Sequence, residues 1–389
     1  MKKVLSIFLA VVILISGVVF ASAKGNDKLQ FDENGQFKIL ALADIQSGFP
    51  VGEALKAYIT EAIDASNPDL VMFLGDNIMS PEDGTVESYW KGYDEVFPIL
   101  ESKGVPFTFV FGNHDDESAP TVTKEEMLKK YQSYDGCLAY DADPSLHGCA
   151  THNLPILSSD GKKVAYNLWM FDSGDYVFYE NGKRRGYDCV RADQIEWYKA
   201  ESAKLKAANG GEVVPSLLFQ HVPVKEIYQF VDRVTYKEAE NACFNIDDRK
   251  WYSLNESSGL IGDDNVMGEA PCSEPLSHTT GQYEAWLEKG DIIGAFFAHD
   301  HVNNFMGRTG EGIILGYNGG TGFRAYGRGD HRSMRVFNLN ENDIENYETH
   351  SIYYCDVVGE SFSYYVSDFM TPAIFGDIFR AFLKMFFII

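Results

Sequence analysis

Positive charge is scarce in this chain of 389 residues: 33 lysines and arginines stand against 57 acids, a formal charge of −24. Its one basic run is Lys183-Arg184-Arg185. The clustered Lys and Arg that phosphate-backbone binding requires are therefore missing, and nucleic acid is not an expected partner. An anionic ligand has to be held by local charge, such as a bound metal ion, because the overall field repels it. Also missing are a CxxC pair, any Cys/His spacing of a structural zinc site, and any internal repeat.

One long apolar run is present, Val4 to Phe20, led by Lys2 and Lys3 and followed by Ala21-Ser22-Ala23. Its length is marginal for a membrane span, and the small-residue site fits cleavage, so residues 1–23 read as an export signal. The expected location is extracellular or on the cell surface. An oxidising compartment makes disulfides the expected state of the six cysteines, with Cys137–Cys149 and Cys243–Cys272 as pairs within shared irregular segments. Buried thiols are the alternative.

Residues 24–355 suit one large α/β unit. Phe37–Ala43 reads as a buried strand ending at Asp44, Glu53–Ser66 as a helix stopped by Asn67-Pro68, and Leu70–Leu74 as a strand ending at Gly75-Asp76. A helix over Val86–Ser102 and a strand over Phe107–Phe111 follow, the latter ending at Gly112-Asn113-His114. Such βαβαβ order makes a parallel sheet whose carboxyl edge is the usual ligand site. Further strands are expected at Ala165–Phe171, Ser216–Gln220 and Ile292–Ala298, the last two ending at His221 and at His299-Asp300-His301, with a helix at Ala192–Ala208. The stretch 232–277 reads as an irregular rim insertion, and the chain beyond His301 as antiparallel. In the tail, 356–389, Phe375, Ile378, Phe379 and Phe382 share a helical face opposite Asp377, Arg380 and Lys384. This amphipathic helix suits docking on protein, with peripheral membrane contact as the other reading.

Phosphoester hydrolysis needs neutralised phosphoryl oxygens, a nucleophile near neutral pH and a protonated leaving group. Two cations about 3.5–4 Å apart meet the first two needs. Their ligands are carboxylates, imidazoles and amide oxygens, and the strand ends supply that mixture. Singly, Asp44 or Asp76 reads as a helix cap, Asn113 as a turn residue and His221 as a satisfied core histidine. Five strand ends with compatible groups make the joint reading a dinuclear centre.

In Asp44-Ile45-Gln46, Gly75-Asp76, Gly112-Asn113-His114-Asp115, His221 and His299-Asp300-His301, the chain resembles the calcineurin-like metallophosphoesterases, whose signature runs D-x-H, GD, GNH(D/E), an isolated His, and GHxH. Asp172-Ser173-Gly174-Asp175, Gly268-Glu269-Ala270 and Thr321-Gly322-Phe323 to Gly327 look like its purple-acid-phosphatase-like branch of plants and fungi. The resemblance spans roughly residues 37 to 340 and implies a four-layer α/β/β/α sandwich. It also implies Asp76 as bridging carboxylate, Asp44 and His301 on one metal, Asn113, His221 and His299 on the other, and His114 facing the phosphate as proton donor to the leaving group or stabiliser of the transition state.

Two positions depart from the pattern. Gln46 stands where the family has a histidine ligand, and Ala298 replaces the glycine before His299. A glutamine oxygen coordinates more weakly than imidazole, so the first site is expected to be weak or to prefer Mn, Mg or Fe over Zn. His147, His152, His278, His331 and His350 are expected at the surface or rim, and Asp115, Asp116 and Asp300 as carboxylates that orient imidazoles. The expected activity is phosphomonoester hydrolysis on a small substrate, with two metal ions. A phosphodiesterase or nucleotide hydrolase, and a non-catalytic secreted binding protein with a decayed metal site, are the other readings.

Overall fold

Side chains on the strand Gln36–Leu42 (β1) alternate between two apolar cores, with Leu40 and Leu42 in one and Ile39 and Ala41 in the other. The same period of two divides Leu70–Leu74 (β2), where Val71 and Phe73 oppose Leu70, Met72 and Leu74. A strand covered on both faces reads as an unbroken apolar run, which is why these segments are legible in the sequence. The computed structural model describes residues 28–359, except 80, 82, 118–121, 236, 238–241, 246–247, 263 and 273–279. The expected export signal and the amphipathic face of the tail lie outside the described residues, as does His278.

Two sheets pack face to face. The first runs in the order Glu348–Tyr353, Ser333–Asn340, β1, β2 and Phe107–Val110 (β3), with β1, β2 and β3 parallel. The second runs Met306–Arg308, Ile314–Tyr317, Ile292–Phe297, Ser216–Gln220, Val164–Phe171 and His152–Leu157. Its four inner strands are parallel and its two edges antiparallel. Between the sheets lies a core joining Ile39, Met72 and Val110 to Leu168, Phe219 and Phe296.

Helices Glu53–Ser66, Val86–Lys103 and Lys124–Tyr131 cover the outer face of the first sheet through Tyr58, Phe97 and Tyr131. Helices Ala192–Ala208 and Gln282–Lys289 cover the second through Tyr198 and Trp286. The result is the expected α/β/β/α layering.

Several expectations change. Ile314–Tyr317 pairs parallel with Ile292–Phe297, so the region beyond His301 is mixed in direction. The insertion carries a three-stranded antiparallel sheet of Val231–Val234, Lys250–Leu254 and Cys243–Asn245. Polar residues and short strands left no clear period there. His152 is 0% exposed, with its ring bonded to Thr108 Oγ1 and the Ala150 carbonyl, both at 2.7 Å. Burial lowers its pKa to about 4, so the ring is neutral. The expected disulfides are not formed among the described cysteines. Cys137 and Cys149 pack as thiols in the core under the first sheet, and Cys243 Sγ donates to the Met267 carbonyl.

Candidate metal centre

Five parallel strands end at one edge of the two sheets, and each delivers a candidate residue within four positions of its last member. β1 is followed by Asp44 and Gln46, β2 by Asp76, β3 by Asn113 and His114. Ser216–Gln220 is followed by His221, and Ile292–Phe297 by His299 and His301. The seven candidate ligands are all buried.

Leaving the strands costs backbone strain. Asp44, Gln46, Asp76 and His299 take φ of 49°, 36°, 51° and 75°, the left-handed region that such residues rarely occupy. Each such position costs on the order of 1–3 kcal/mol and persists only where its surroundings enforce it. Here Asp44 N–H donates to the Gly75 carbonyl, Gln46 N–H to that of Asp76 and Ser47 N–H to that of Asn77, zipping two turns together. Asp115 accepts from the N–H groups of Gly112, Asp76 and Asn77 at 2.7, 3.0 and 2.8 Å. It thus fixes backbone, where an imidazole partner was expected. Burial and the Asp76 charge push its carboxyl up to about 7. Gly112 is required because any Cβ there would collide with the Asp76 carboxylate. At Gly75, with φ of 89°, a Cβ would lie 2.6 Å from His221 Nδ1.

The side chains converge as follows. His221 Nε2 lies 3.3 Å from Asp76 Oδ2, 3.1 Å from Asn113 Oδ1 and 3.3 Å from His299 Nδ1. Its Nδ1 sits 2.8 Å from the Leu74 carbonyl, which fixes the ring and aims Nε2 at the centre. His301 Nε2 is 3.3 Å from Asp44 Oδ1, and its Nδ1 is 2.9 Å from the Tyr326 carbonyl. Gln46 Nε2 donates to Asp76 Oδ2 at 3.1 Å. His114 N–H donates to Asp76 Oδ1, and His114 Nδ1 is 2.6 Å from Glu117 Oε2. The His114 side chain is 41% exposed, so it faces outward from the buried cluster.

These groups fit a cation. Asp44 Oδ1 is buried and accepts no aligned hydrogen bond, yet faces ring nitrogens of His301 and His221 at 3.3 and 3.9 Å. A bare carboxylate oxygen among imidazoles is costly unless a positive charge joins it. Asp44, Asp76 and His221 each offer a ligand atom within 4.8 Å of the others. Cys272, His299 and Asp300 form a second such group, but Asp300 Oδ2 is already engaged by Tyr317 OH and Cys272 N–H. The expected role of Asp300 as an imidazole partner is therefore replaced by a tie to the 268–272 segment.

The protonation of these groups follows from this geometry. Burial opposes charge on His221, yet Asp76 and Asp44 carry its pKa up to about 10, so a proton occupies the ring when no metal does. Burial would raise Asp76, but the neighbouring His221 holds it well below the usual carboxylate range. Burial and the charge on His221 hold His299 well below its ordinary value, leaving a neutral ring with a lone pair to give.

Above the cluster opens a cavity of about 430 Å³, lined by Gln46, Asp76, His114, His299 and His301. Sequence reasoning missed its other walls: Phe244 and Asn245 from the insertion, Tyr187, Glu269, Arg324 and Tyr326. Glu269, Arg324 and Tyr326 stand inside two of the quoted family motifs, the only signal that singled them out.

The chain belongs to the calcineurin-like phosphoesterase family, whose model matches residues 37–303. Among individual proteins, it is 29% identical over 370 residues to "Probable inactive purple acid phosphatase 14" of Arabidopsis thaliana, covering 86% of this chain and 83% of that protein. It is 28% identical to "Probable inactive purple acid phosphatase 29" of the same plant, over 85% of this chain and 83% of that one. It is 27% identical to "Phosphatase DCR2" of Saccharomyces cerevisiae, over 83% of this chain and 55% of the yeast protein.

Proposed function

We propose that the protein is an exported, metal-dependent phosphomonoesterase acting on a small phosphorylated substrate. The observation that carries this reading is the buried Asp44 Oδ1, which accepts no aligned hydrogen bond and faces two imidazoles beside Asp76. Asp44, Gln46, Asp76 and His301 would hold one metal ion, and Asp76, Asn113, His221 and His299 the other. Bound there, the ions would neutralise phosphoryl charge and supply a nucleophile at neutral pH. The chain's own residues do the rest. Leu74 and Tyr326 carbonyls hold the rings of His221 and His301 in the tautomer that turns Nε2 inward. Glu117 holds Nδ1–H of His114, which leaves Nε2 to carry a proton to the leaving group. Burial keeps competing water from the ligand side of Asp76, and the cavity admits substrate from the His114 side. Support for export is the apolar run Val4–Phe20 followed by Ala21-Ser22-Ala23.

A second reading, a secreted binding protein without catalysis, draws on Gln46. Its Nε2 bonds Asp76 Oδ2, so the amide meets the bridging carboxylate as a donor where an imidazole ligand is usual. The word "inactive" in the names of two plant relatives points the same way. Elemental analysis of the purified protein, paired with aryl phosphate hydrolysis before and after chelation, separates the two. About two ions per chain with chelator-sensitive turnover is expected. No bound metal and no turnover after Mn or Fe addition would leave the second reading in possession. His114→Ala is expected to keep the metal and lose turnover.

A further inference from the structure

The cavity over the centre contains a cation that the chemistry above does not use. Among the described lining residues Arg324 is the sole Lys or Arg, and it shares the space with Asp76, Glu269 and Asp300. A lone arginine on a surface loop is ordinarily a solvated charge with no fixed place. The loop that carries Arg324 is different, because it is tied down at three points.

At its start, Thr321 N–H donates to the Ala43 carbonyl at 2.8 Å and Gly322 N–H to that of Asp44 at 3.1 Å. Gly322 packs so closely on this turn that any Cβ would collide with the Ile45 carbonyl. At its end, the Tyr326 carbonyl receives His301 Nδ1, and the Tyr326 ring stacks on His301 with centroids 4.2 Å apart and planes 6° from parallel. In between, Arg332, itself 1% exposed, grips the loop from beneath. Its guanidinium donates to the Gly322 carbonyl and, at 2.9 Å, to the Ala325 carbonyl, bracketing Arg324. A buried cation spent on two backbone carbonyls is a costly way to shape a loop unless the shape matters. The backbone of Arg324 is thereby registered to Asp44 and His301, two of the candidate metal ligands.

We propose that Arg324 is the anion clamp of this site, its guanidinium taking two non-bridging oxygens of a dianionic phosphoryl group, as in a phosphomonoester or in orthophosphate. The inference rests on the phosphoesterase reading for its placement of the phosphoryl group. The planar fork of arginine matches two oxygens of one phosphoryl group, whereas lysine offers a point charge. A phosphodiester carries one charge less and one fewer free oxygen, and so gains less from the fork. In a chain this acidic, an arginine in the cavity wall also offsets the carboxylates that would turn an anion away.

The test uses the full protein loaded with Mn. Orthophosphate binding is measured by calorimetry for the wild type, Arg324→Ala, Arg324→Gln and Arg324→Lys, alongside metal content, melting temperature and hydrolysis of aryl mono- and diesters. The Ala and Gln variants are expected to keep their metal and fold and to bind orthophosphate about 10- to 100-fold more weakly. The Lys variant should recover part of the loss, and KM should rise more for the monoester than for the diester. The Gln variant carries the test should Ala disturb the loop. Unchanged orthophosphate affinity in both neutral variants, or no orthophosphate binding by the wild type, would overturn the clamp. Arg324-dependent binding without turnover would keep the clamp and remove the hydrolase; turnover with Arg324-independent binding would do the reverse.

Discussion

On one side of Asp76, His221 sits wholly buried, anchored by the Leu74 carbonyl, with Asn113 Oδ1 and His299 Nδ1 within 3.3 Å of its Nε2. On the other side, Asp44 Oδ1 faces His301, and the remaining position belongs to Gln46, whose amide nitrogen is turned to Asp76. The first side offers two imidazoles and an amide oxygen, of which only His221 must first lose a proton; the second offers one imidazole, one carboxylate and a donor that must turn over to coordinate. Against burial, Asp76 and Asp44 raise the pKa of His221 and Asp44 raises that of His301, so metal competes with protons on both sides, and the Gln46 side is set apart by its weaker donor.

Removing the shared member gives the largest expected effect. Asp76→Asn should leave fewer than one ion per chain by elemental analysis and lower aryl phosphate turnover by on the order of a thousandfold or more. A variant that kept both ions would show that the two sides do not depend on a common carboxylate.

Proton competition makes the metal-free protein sensitive to pH. The folded-state pKa of His221 is raised from 6.5 to about 10, so its ion pair stabilises fully below the unfolded value and is lost as pH rises through about 10. Thermal melts in chelator should show stability falling by a few kcal/mol between about pH 6.5 and 10. Metal should abolish that fall, because the ion replaces the proton. Equal slopes with and without metal would refute the competition.

Donor strength is tested by Gln46→His. Supplying the imidazole should tighten the weaker metal site by about 10- to 100-fold in a chelator-competition titration, leaving the tighter site unchanged. Tightening of both sites would erase the distinction drawn between the two sides.

The smallest effect is expected outside both ligand sets. Glu117→Gln weakens the hold on His114 Nδ1 and should lower kcat up to about tenfold, with metal content and KM unmoved. Loss of metal in this variant would place Glu117 on the ligand side of the site.

Much of the layout was legible because it is local. Runs such as LVMFL and SLLFQ announce buried strands, and the Gly-Asp and Gly-Asn-His that follow mark where each chain segment leaves its sheet. His152 was illegible for the opposite reason: its strand, HNLPIL, mixes polar residues with a proline, and only its pairing with Val164–Phe171 buries it. The small sheet over the insertion was hidden likewise, since strands of three to five residues take their shape from each other.

Residue types and order along the chain settled the family, the alternation of strands and helices, and which side chains could bind a cation, since these depend on composition and short-range periodicity. Tertiary structure alone decided that Asp44, Gln46, Asp76 and His299 take left-handed backbone, and that Asp115 locks three N–H groups. It alone turned Arg324 from one arginine among many into a fixed wall of the cavity. Such features need groups apart in sequence, from the 39 residues between Asp76 and Asp115 to the more than two hundred between Asp44 and His301, to meet at distances where strain, hydrogen bonds and charge can balance.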